Sequence, residues 1–254
     1  MSVELTINGH IAEIVLNNPE KRNVLDCVSS AQLARAVAEA EAQPEVSCLI
    51  IAAEGRAFCA GGSLDELMRA QAGEAELLHD IYAGFLAVAN SPLPTIAAVQ
   101  GAAVGAGMNL ALACDIRMVT SHAKFDTRFT QLGIHCGGGH SWMLQKYLNW
   151  EDSVGALIFG HVIGGEQAVT KGLATQCVEV ADLLPTCRNF AAGLEGVPRE
   201  LVEETKRSLN KSRGEPSHQR MVDHEFEVQT ISLQHEHAKA KLEGFSRSIS
   251  SAKR

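Results

Sequence analysis

Two short stretches combine very small side chains with a change of chain direction, and such stretches can do chemistry through the backbone alone. The first is CAGGSL at residues 59–64, and the second is GAAVGAG at residues 101–107. Each leads into a helical pattern, whose first amide N–H groups have no acceptor in the helix and carry partial positive charge. Such amides can stabilise an oxygen on which negative charge develops. Alternatively, the small residues only let a helix and a strand pack closely.

A second group of residues supplies ionisable side chains. The segment GIHCGGGHSWML at residues 133–144 contains His135, Cys136 and His140, and Asp126 precedes it. A neutral imidazole is a base near neutral pH, and consecutive glycines let the backbone approach a ligand. The alternatives are that both histidines bond backbone around a glycine loop and that Asp126 caps a turn. Adjacent residues seldom face each other, which disfavours Cys136 as a nucleophile activated by His135.

Strand and helix patterns alternate through the first 195 residues and predict a layered α/β fold. The N-terminal segment predicts a hairpin with its turn at Asn8-Gly9. Residues 55–70 are expected to form a glycine-bearing loop that runs into a helix, and residues 104–114 a helix. From residue 196 to residue 254 only long, charged helical patterns appear. Two regions are therefore expected, an α/β core at 1–195 and a helical C-terminal region at 196–254.

Composition restricts the partners and the compartment. Of the 254 residues 46% are hydrophobic, and the formal net charge of −8 disfavours nucleic acid or an anionic membrane as a partner. Seven cysteines without a CxxC pair predict reduced thiols in the cytoplasm. No apolar stretch is long enough to span a bilayer. The histidines near the C-terminus lack the spacing of a metal site, so no metal is expected.

Taken together, the motifs resemble the crotonase (enoyl-CoA hydratase/isomerase) superfamily. They are NNPEKRNVLD, AFCAGGSLDEL, AAVQGAAVGAGMNLALACDIRM, IFGHVIGGEQAVTKGLATQCVE and AKAKLEGFSRS, and they cover nearly the whole chain in the expected order. The resemblance implies a crotonase-type spiral of ββα turns with a helical C-terminal region that serves oligomerisation. It also implies an acyl-CoA thioester substrate, no separate cofactor because coenzyme A is part of the substrate, and a homotrimer or homohexamer.

The resemblance carries particular roles onto particular residues. The N–H groups of Gly62 and Ala106 correspond to the two donors that stabilise the thioester oxygen as it becomes an enolate. Ala60 would offer its carbonyl to the adenine, whereas Asp65 stands where many relatives carry a basic residue. The residues implied to bind the substrate are Lys21, Arg22, Val24, Ala60, Ser63, Leu64 and Phe129.

The chain departs from the family at the residues that move protons. Hydratases of this family use two glutamates, and the matching positions here are Asn109 and Phe129. Asparagine can position water but cannot accept its proton, and phenylalanine can do neither. Proton transfer is therefore expected to fall to His135, His140 or Asp126, helped by water held by Asn109.

Three functions remain open on the sequence. The first is an atypical lyase or isomerase that acts on an enoyl-CoA with a relocated acid or base. The second is another thioester reaction on the same fold, such as hydrolysis or carbon–carbon cleavage. The third is a non-catalytic acyl-CoA-binding protein. The absent glutamates favour the last two, and the histidines of the glycine loop favour the first two.

Overall fold

The computed structural model describes residues 2–251, and the chain divides into two compact units between residues 195 and 196. Residues 1 and 252–254, at the outer ends of the two expected regions, lie outside the described residues. The strands are β1 Val3–Asn8, β2 Ile11–Leu16, β3 Cys48–Ala53, β4 Ala57–Cys59, β5 Thr95–Val99, β6 Ala102–Val104, β7 Ile116–Thr120, β8 Lys124–Asp126, β9 Ile163–Gly164 and β10 Gln176–Val178. The helices of the first unit are α1 Cys27–Glu41, α2 Leu64–Gln71, α3 Leu77–Asn90, α4 Ala106–Ala113, α5 His140–Leu144, α6 Trp150–Leu157, α7 Gly165–Thr170 and α8 Leu183–Ala191.

The strands form two sheets. Six of them make a larger sheet in the order β1-β2-β3-β5-β7-β10, and four make a smaller sheet in the order β4-β6-β8-β9. The β1–β2 pair is the antiparallel hairpin predicted at Asn8-Gly9, and Gly9 adopts a φ of 60° in its turn. The other pairs of the larger sheet are parallel. Parallel strands need crossover connections, and the helices provide them.

The chain repeatedly crosses from the larger sheet to the smaller one and then enters a helix. It runs β3–β4–α2 and again β5–β6–α4. The short strands β4 and β6 lie where the sequence predicts a loop and the approach to a helix. They form because they pair with each other in parallel, and such long-range pairing leaves no local signal in three-residue segments.

Alternating side chains of β3 build the core on both faces of the larger sheet. Leu49 and Ile51 join the main hydrophobic cluster with α1, α3 and α4, while Ile50 packs on the other face with Leu183 and Cys187 of α8. All of β3 except Ala53 is buried, as expected for a strand covered on both faces. The larger sheet is therefore a rigid support for the loops at its edge.

Arg117 anchors the C-terminal end of α4. Its buried guanidinium donates to the carbonyls of Leu173 at 2.5 Å, Cys114 at 2.6 Å and Ala111 at 3.3 Å. It also lies over the ring of Tyr147, 3.8 Å from the centroid. A cation at this end complements the helix dipole and bonds carbonyls that have no partner within the helix.

The second unit consists of helices, as its charged patterns predict. These are α9 Arg199–Ser212, α10 His218–Leu233 and α11 Glu236–Ser251. Within this unit His224 Nε2 lies 3.0 Å from Ser208 Oγ, which links α10 to α9. Throughout residues 2–251, no helix has the length and apolar character needed to cross a bilayer.

Candidate active site

The two small-residue stretches lie side by side. A Cβ atom built on Gly62 would lie 3.9 Å from the Cβ of Ala106. One residue further along α4, a Cβ on Gly107 would lie 2.2 Å from the carbonyl oxygen of Cys59. The end of β4 and the start of α4 therefore approach so closely that only glycine fits at residue 107. The close packing of β4 against α4 therefore also brings Gly62 and Ala106 next to each other.

The amide of Gly62 is left free by the pairing around it. In the parallel bridge between Leu25 and Gly62, Leu25 donates to the carbonyl of Gly61 and Ser63 donates to the carbonyl of Leu25, each at 2.8 Å. The N–H of Gly62 itself therefore points to the opposite side. Ala106 is the first residue of α4, so its N–H has no acceptor within the helix. Two donors without helix or sheet partners thus occur on adjacent segments.

The loop at residues 18–26 is bonded to the first of these stretches. The amide of Ala60 donates to the carbonyl of Arg22 at 3.0 Å. Lys21 and Arg22 are exposed, and Val24 is half-buried. Asn23, whose role the sequence does not reveal, is buried and donates to the carbonyls of Glu54 and Ala57 at 2.9 Å. The loop therefore presents its basic side chains from a fixed backbone.

Helix α2 begins at Leu64, two residues after Gly62. The Ser63 side chain accepts a hydrogen bond from the Glu66 amide, which caps the helix, and Leu64 is exposed. The Glu66 carboxylate in turn accepts the amide N–H of Cys27, the first residue of α1, at 3.1 Å. Such a carboxylate stabilises a helix N-terminus. The contact spans 39 residues, so the sequence gives no sign of it.

Asn109 is bound to the glycine loop at both ends of its amide. Its Nδ2 donates to the carbonyl of Gly137 at 3.1 Å, and its Oδ1 lies 2.5 Å from Nδ1 of His140. The residue is 1% exposed. Each of these two atoms keeps a second hydrogen-bonding position, so the expectation that Asn109 holds water stays a prediction.

The bonds of Asn109 fix the protonation of His140. Since Oδ1 can only accept, the proton of the neutral imidazole lies on Nδ1 and Nε2 carries a lone pair. Burial lowers the pKa of His140 to about 4, so the ring is neutral near neutral pH. The ring of Phe129 packs edge-on against it, with centroids 5.0 Å apart. Nε2 has no hydrogen-bond partner among the described residues.

Two glycines let this loop approach α3. A Cβ on Gly137 would lie 2.1 Å from the hydroxyl oxygen of Tyr82, and one on Gly138 would lie 2.4 Å from Cζ of Phe85. Gly138 also has a φ of 66°, a conformation that glycine adopts without strain. The glycine run therefore lets the loop pack against α3, while the bond to Asn109 holds His140 next to α4.

The other three candidates are, in turn, exposed, half-buried and ion-paired. His135 is exposed, and its Nδ1 lies 2.7 Å from the carbonyl of Cys136. Cys136 is half-buried and free. The Asp126 carboxylate is buried and pairs with the guanidinium of Arg128, so it is an ion-paired group and not a free base. No group of three potential metal ligands occurs within residues 2–251.

Comparisons with known proteins identify the family of this chain. The model of the family "Enoyl-CoA hydratase/isomerase" matches residues 6–249, so the chain belongs to this family. It is 41% identical over 225 residues to "Probable enoyl-CoA hydratase EchA14" of Mycobacterium tuberculosis, covering 88% of this chain and 87% of the relative. It is 31% identical to the 1,2-epoxyphenylacetyl-CoA isomerase of Escherichia coli K12, covering 80% and 79%.

A solved structure supports the same conclusion. The enoyl-CoA hydratase of Polaromonas sp. JS666 superposes with a TM-score of 0.89 at 28% identity, over 97% of each chain. The prediction of a crotonase-type α/β fold with a helical C-terminal region is therefore confirmed. The protein is a member of an enzyme family of the crotonase type.

Proposed function

We propose that the protein processes an acyl-CoA thioester and stabilises its enolate with the amides of Gly62 and Ala106. The observation that carries this proposal is the 3.9 Å between a Cβ built on Gly62 and the Cβ of Ala106. Gly62 directly precedes the N-cap of α2 and Ala106 is the first residue of α4, and the N–H of each is directed away from sheet and helix bonding. Two such donors act together on one oxygen, and the loss of one donor costs about 3 kcal/mol in well-studied enzymes. The small side chains leave the thioester room to reach the backbone.

The coenzyme A portion is assigned to the neighbouring loops. Lys21 and Arg22 are exposed cations on the loop that is bonded to Ala60, which supports a role in binding phosphate groups. Val24, Ser63 and Leu64 would line the path of the pantetheine, and Phe129 would contact the acyl group beside His140. No cofactor beyond the coenzyme A of the substrate is needed.

The acyl substrate is assigned by class. The relatives are named for enoyl-CoA and 1,2-epoxyphenylacetyl-CoA, and both compounds are CoA thioesters. We therefore propose a hydratase or isomerase type of reaction on an unsaturated acyl-CoA. Asn109 and Phe129 make the enzyme atypical, because neither side chain can accept a proton.

A panel of thioesters tests this function. Butyryl-CoA is expected to bind, and crotonyl-CoA is expected to be converted at a rate on the order of 1 to 1000 per second. Calorimetry measures the first, and loss of the enoyl thioester absorbance measures the second. Release of free thiol would favour hydrolysis, and binding without turnover of any thioester would favour a non-catalytic binder. The absence of binding to every thioester would contradict the proposal.

We also propose that the second unit joins copies of this chain into a homotrimer or homohexamer in the cytoplasm. Its helices leave the large apolar side chains of Leu209, Phe226 and Ile231 exposed by 62% or more, and the described free cysteines suit a reducing compartment. Light scattering is expected to give three or six times the chain mass of 27.2 kDa. Replacing Phe226 and Ile231 by serine should lower this mass, and a monomeric wild-type protein would contradict the assignment.

A further inference from the structure

The two positions at which the family carries glutamates meet around one ionisable group. Asn109 bonds His140 at 2.5 Å, and Phe129 packs against the same ring at 5.0 Å. Of these three side chains only the imidazole is an ionisable group. Asn109 lies three residues after Ala106 on α4, so the two share one face of the helix. The imidazole is therefore held one helical turn from the second candidate amide.

The free Nε2 lone pair needs a partner that the described part of the chain does not supply. His140 is 1% exposed, and Nε2 has no donor among the described residues. A buried acceptor left without a donor is destabilising, and buried polar groups of this kind are commonly satisfied by a bound water. The opposite ring nitrogen is tied to Asn109, so the orientation of this lone pair is fixed before any ligand arrives.

We infer that His140 Nε2 holds the water that adds to the enoyl-CoA and carries the transferred proton, with Asn109 as the positioning residue. This inference rests on the proposed function and names the group that replaces both glutamates. It differs from the expectation of three interchangeable candidates, because His135 is exposed and Asp126 is paired with Arg128.

The proposed step balances with one proton and no further reactant. As the water oxygen bonds to the β-carbon, Nε2 takes one of its protons and becomes the N–H of an imidazolium. The electron pair of the carbon–carbon double bond moves towards the α-carbon and the thioester oxygen, where the amides of Gly62 and Ala106 stabilise the enolate. The enolate then takes the proton from Nε2 at the α-carbon. The product is a 3-hydroxyacyl-CoA, and the neutral imidazole is restored.

Burial supports this sequence of events. The low pKa of His140 keeps Nε2 unprotonated and able to accept a hydrogen bond from water. The same shift makes the imidazole a weak base and the transient imidazolium a strong acid, so the proton is held only until the enolate accepts it. Return of the proton to the enolate is therefore favourable. No charged side chain contributes to this pKa shift, which comes from burial alone.

The test compares His140→Ala with His122→Ala, which removes an exposed imidazole outside the site. His140→Ala is expected to lower the kcat for crotonyl-CoA hydration at least about 100-fold, while the Kd for butyryl-CoA changes less than about threefold. Added imidazole should restore part of the rate, because it can occupy the cavity and supply the same lone pair. His122→Ala should retain the wild-type rate.

A measurement on the unmodified protein guards against misfolding of the variant. Nitrogen-15 spectra of histidine-labelled wild-type protein are expected to show His140 protonated on Nδ1 and unprotonated on Nε2. An Nε2–H tautomer would overturn the inference, as would full hydration activity in His140→Ala or a loss confined to His135→Ala. Wild-type protein that isomerises an unsaturated acyl-CoA but never hydrates crotonyl-CoA would also overturn it and leave the proposed function intact.

Discussion

Replacing Ala106 by proline is expected to lower kcat about 100- to 1000-fold, the effect of deleting one oxyanion donor. The substitution removes a single N–H group. Ala106 is the first residue of α4, a position where proline is well tolerated because no intrahelical hydrogen bond is lost. Gly105, which precedes it with a φ of 50°, has no Cβ to clash with the proline ring. Steady-state kinetics on crotonyl-CoA measure the effect.

A matched proline substitution serves as the control. Trp150 is the first residue of α6 and is 71% exposed, so Trp150→Pro removes an equivalent N–H away from the site. It should leave kcat and the thermal unfolding temperature nearly unchanged. Ala106→Pro protein that folds like the wild type and turns over at the wild-type rate would show that this amide stabilises no developing charge.

Replacing Gly107 by alanine is expected to lower the free energy of unfolding by about 3 kcal/mol, at the upper end of the cost of overpacking a core. The added Cβ would lie 2.2 Å from the carbonyl oxygen of Cys59 and 2.8 Å from its carbonyl carbon. Since these are backbone atoms, β4 and α4 must separate. Gly62 and Ala106 would separate with them, and a shift of about 1 Å in a catalytic group can cost about 100-fold in rate.

Urea denaturation and kinetics of the same samples check both effects. Gly193→Ala is the matched control, because a Cβ on Gly193 meets no atom within 4 Å. That change should be neutral or stabilising by about 0.4–1 kcal/mol. A Gly107→Ala protein as stable as the wild type would mean that the strand and the helix are less tightly packed than their geometry indicates.

The parts of the fold and site that depend on local pattern could be predicted from the sequence. The Asn8-Gly9 hairpin, the buried strand around Ile50 and the helical C-terminal region follow from turn chemistry and hydrophobic periodicity. The small residues around Gly62 and Ala106 likewise indicate close backbone approach without reference to distant residues. The strands β4 and β6 escape prediction because three-residue segments are stabilised by pairing with each other.

The chemistry of the site depends on contacts that span long stretches of chain. The bond between Asn109 and His140 joins residues 31 positions apart, and no pattern in either segment shows it. The pairing of Asp126 with Arg128 joins residues only two positions apart. The sequence alone does not indicate it, because it offers several residues of opposite charge for each side chain. Sequence reasoning therefore included His140 among its candidates but could not predict that Asn109 bonds it.

Arg117 has a consequence for the rate of the proposed thioester reaction. Its guanidinium fixes the carbonyl end of α4, while the opposite end supplies the proposed amide donor. The helix dipole is therefore oriented during folding, so the proposed stabilisation of an anionic substrate oxygen would need little reorganisation energy. In water the surrounding dipoles would have to turn at that moment, whereas in this protein they are already preorganised by a cation at the far end of an eight-residue helix.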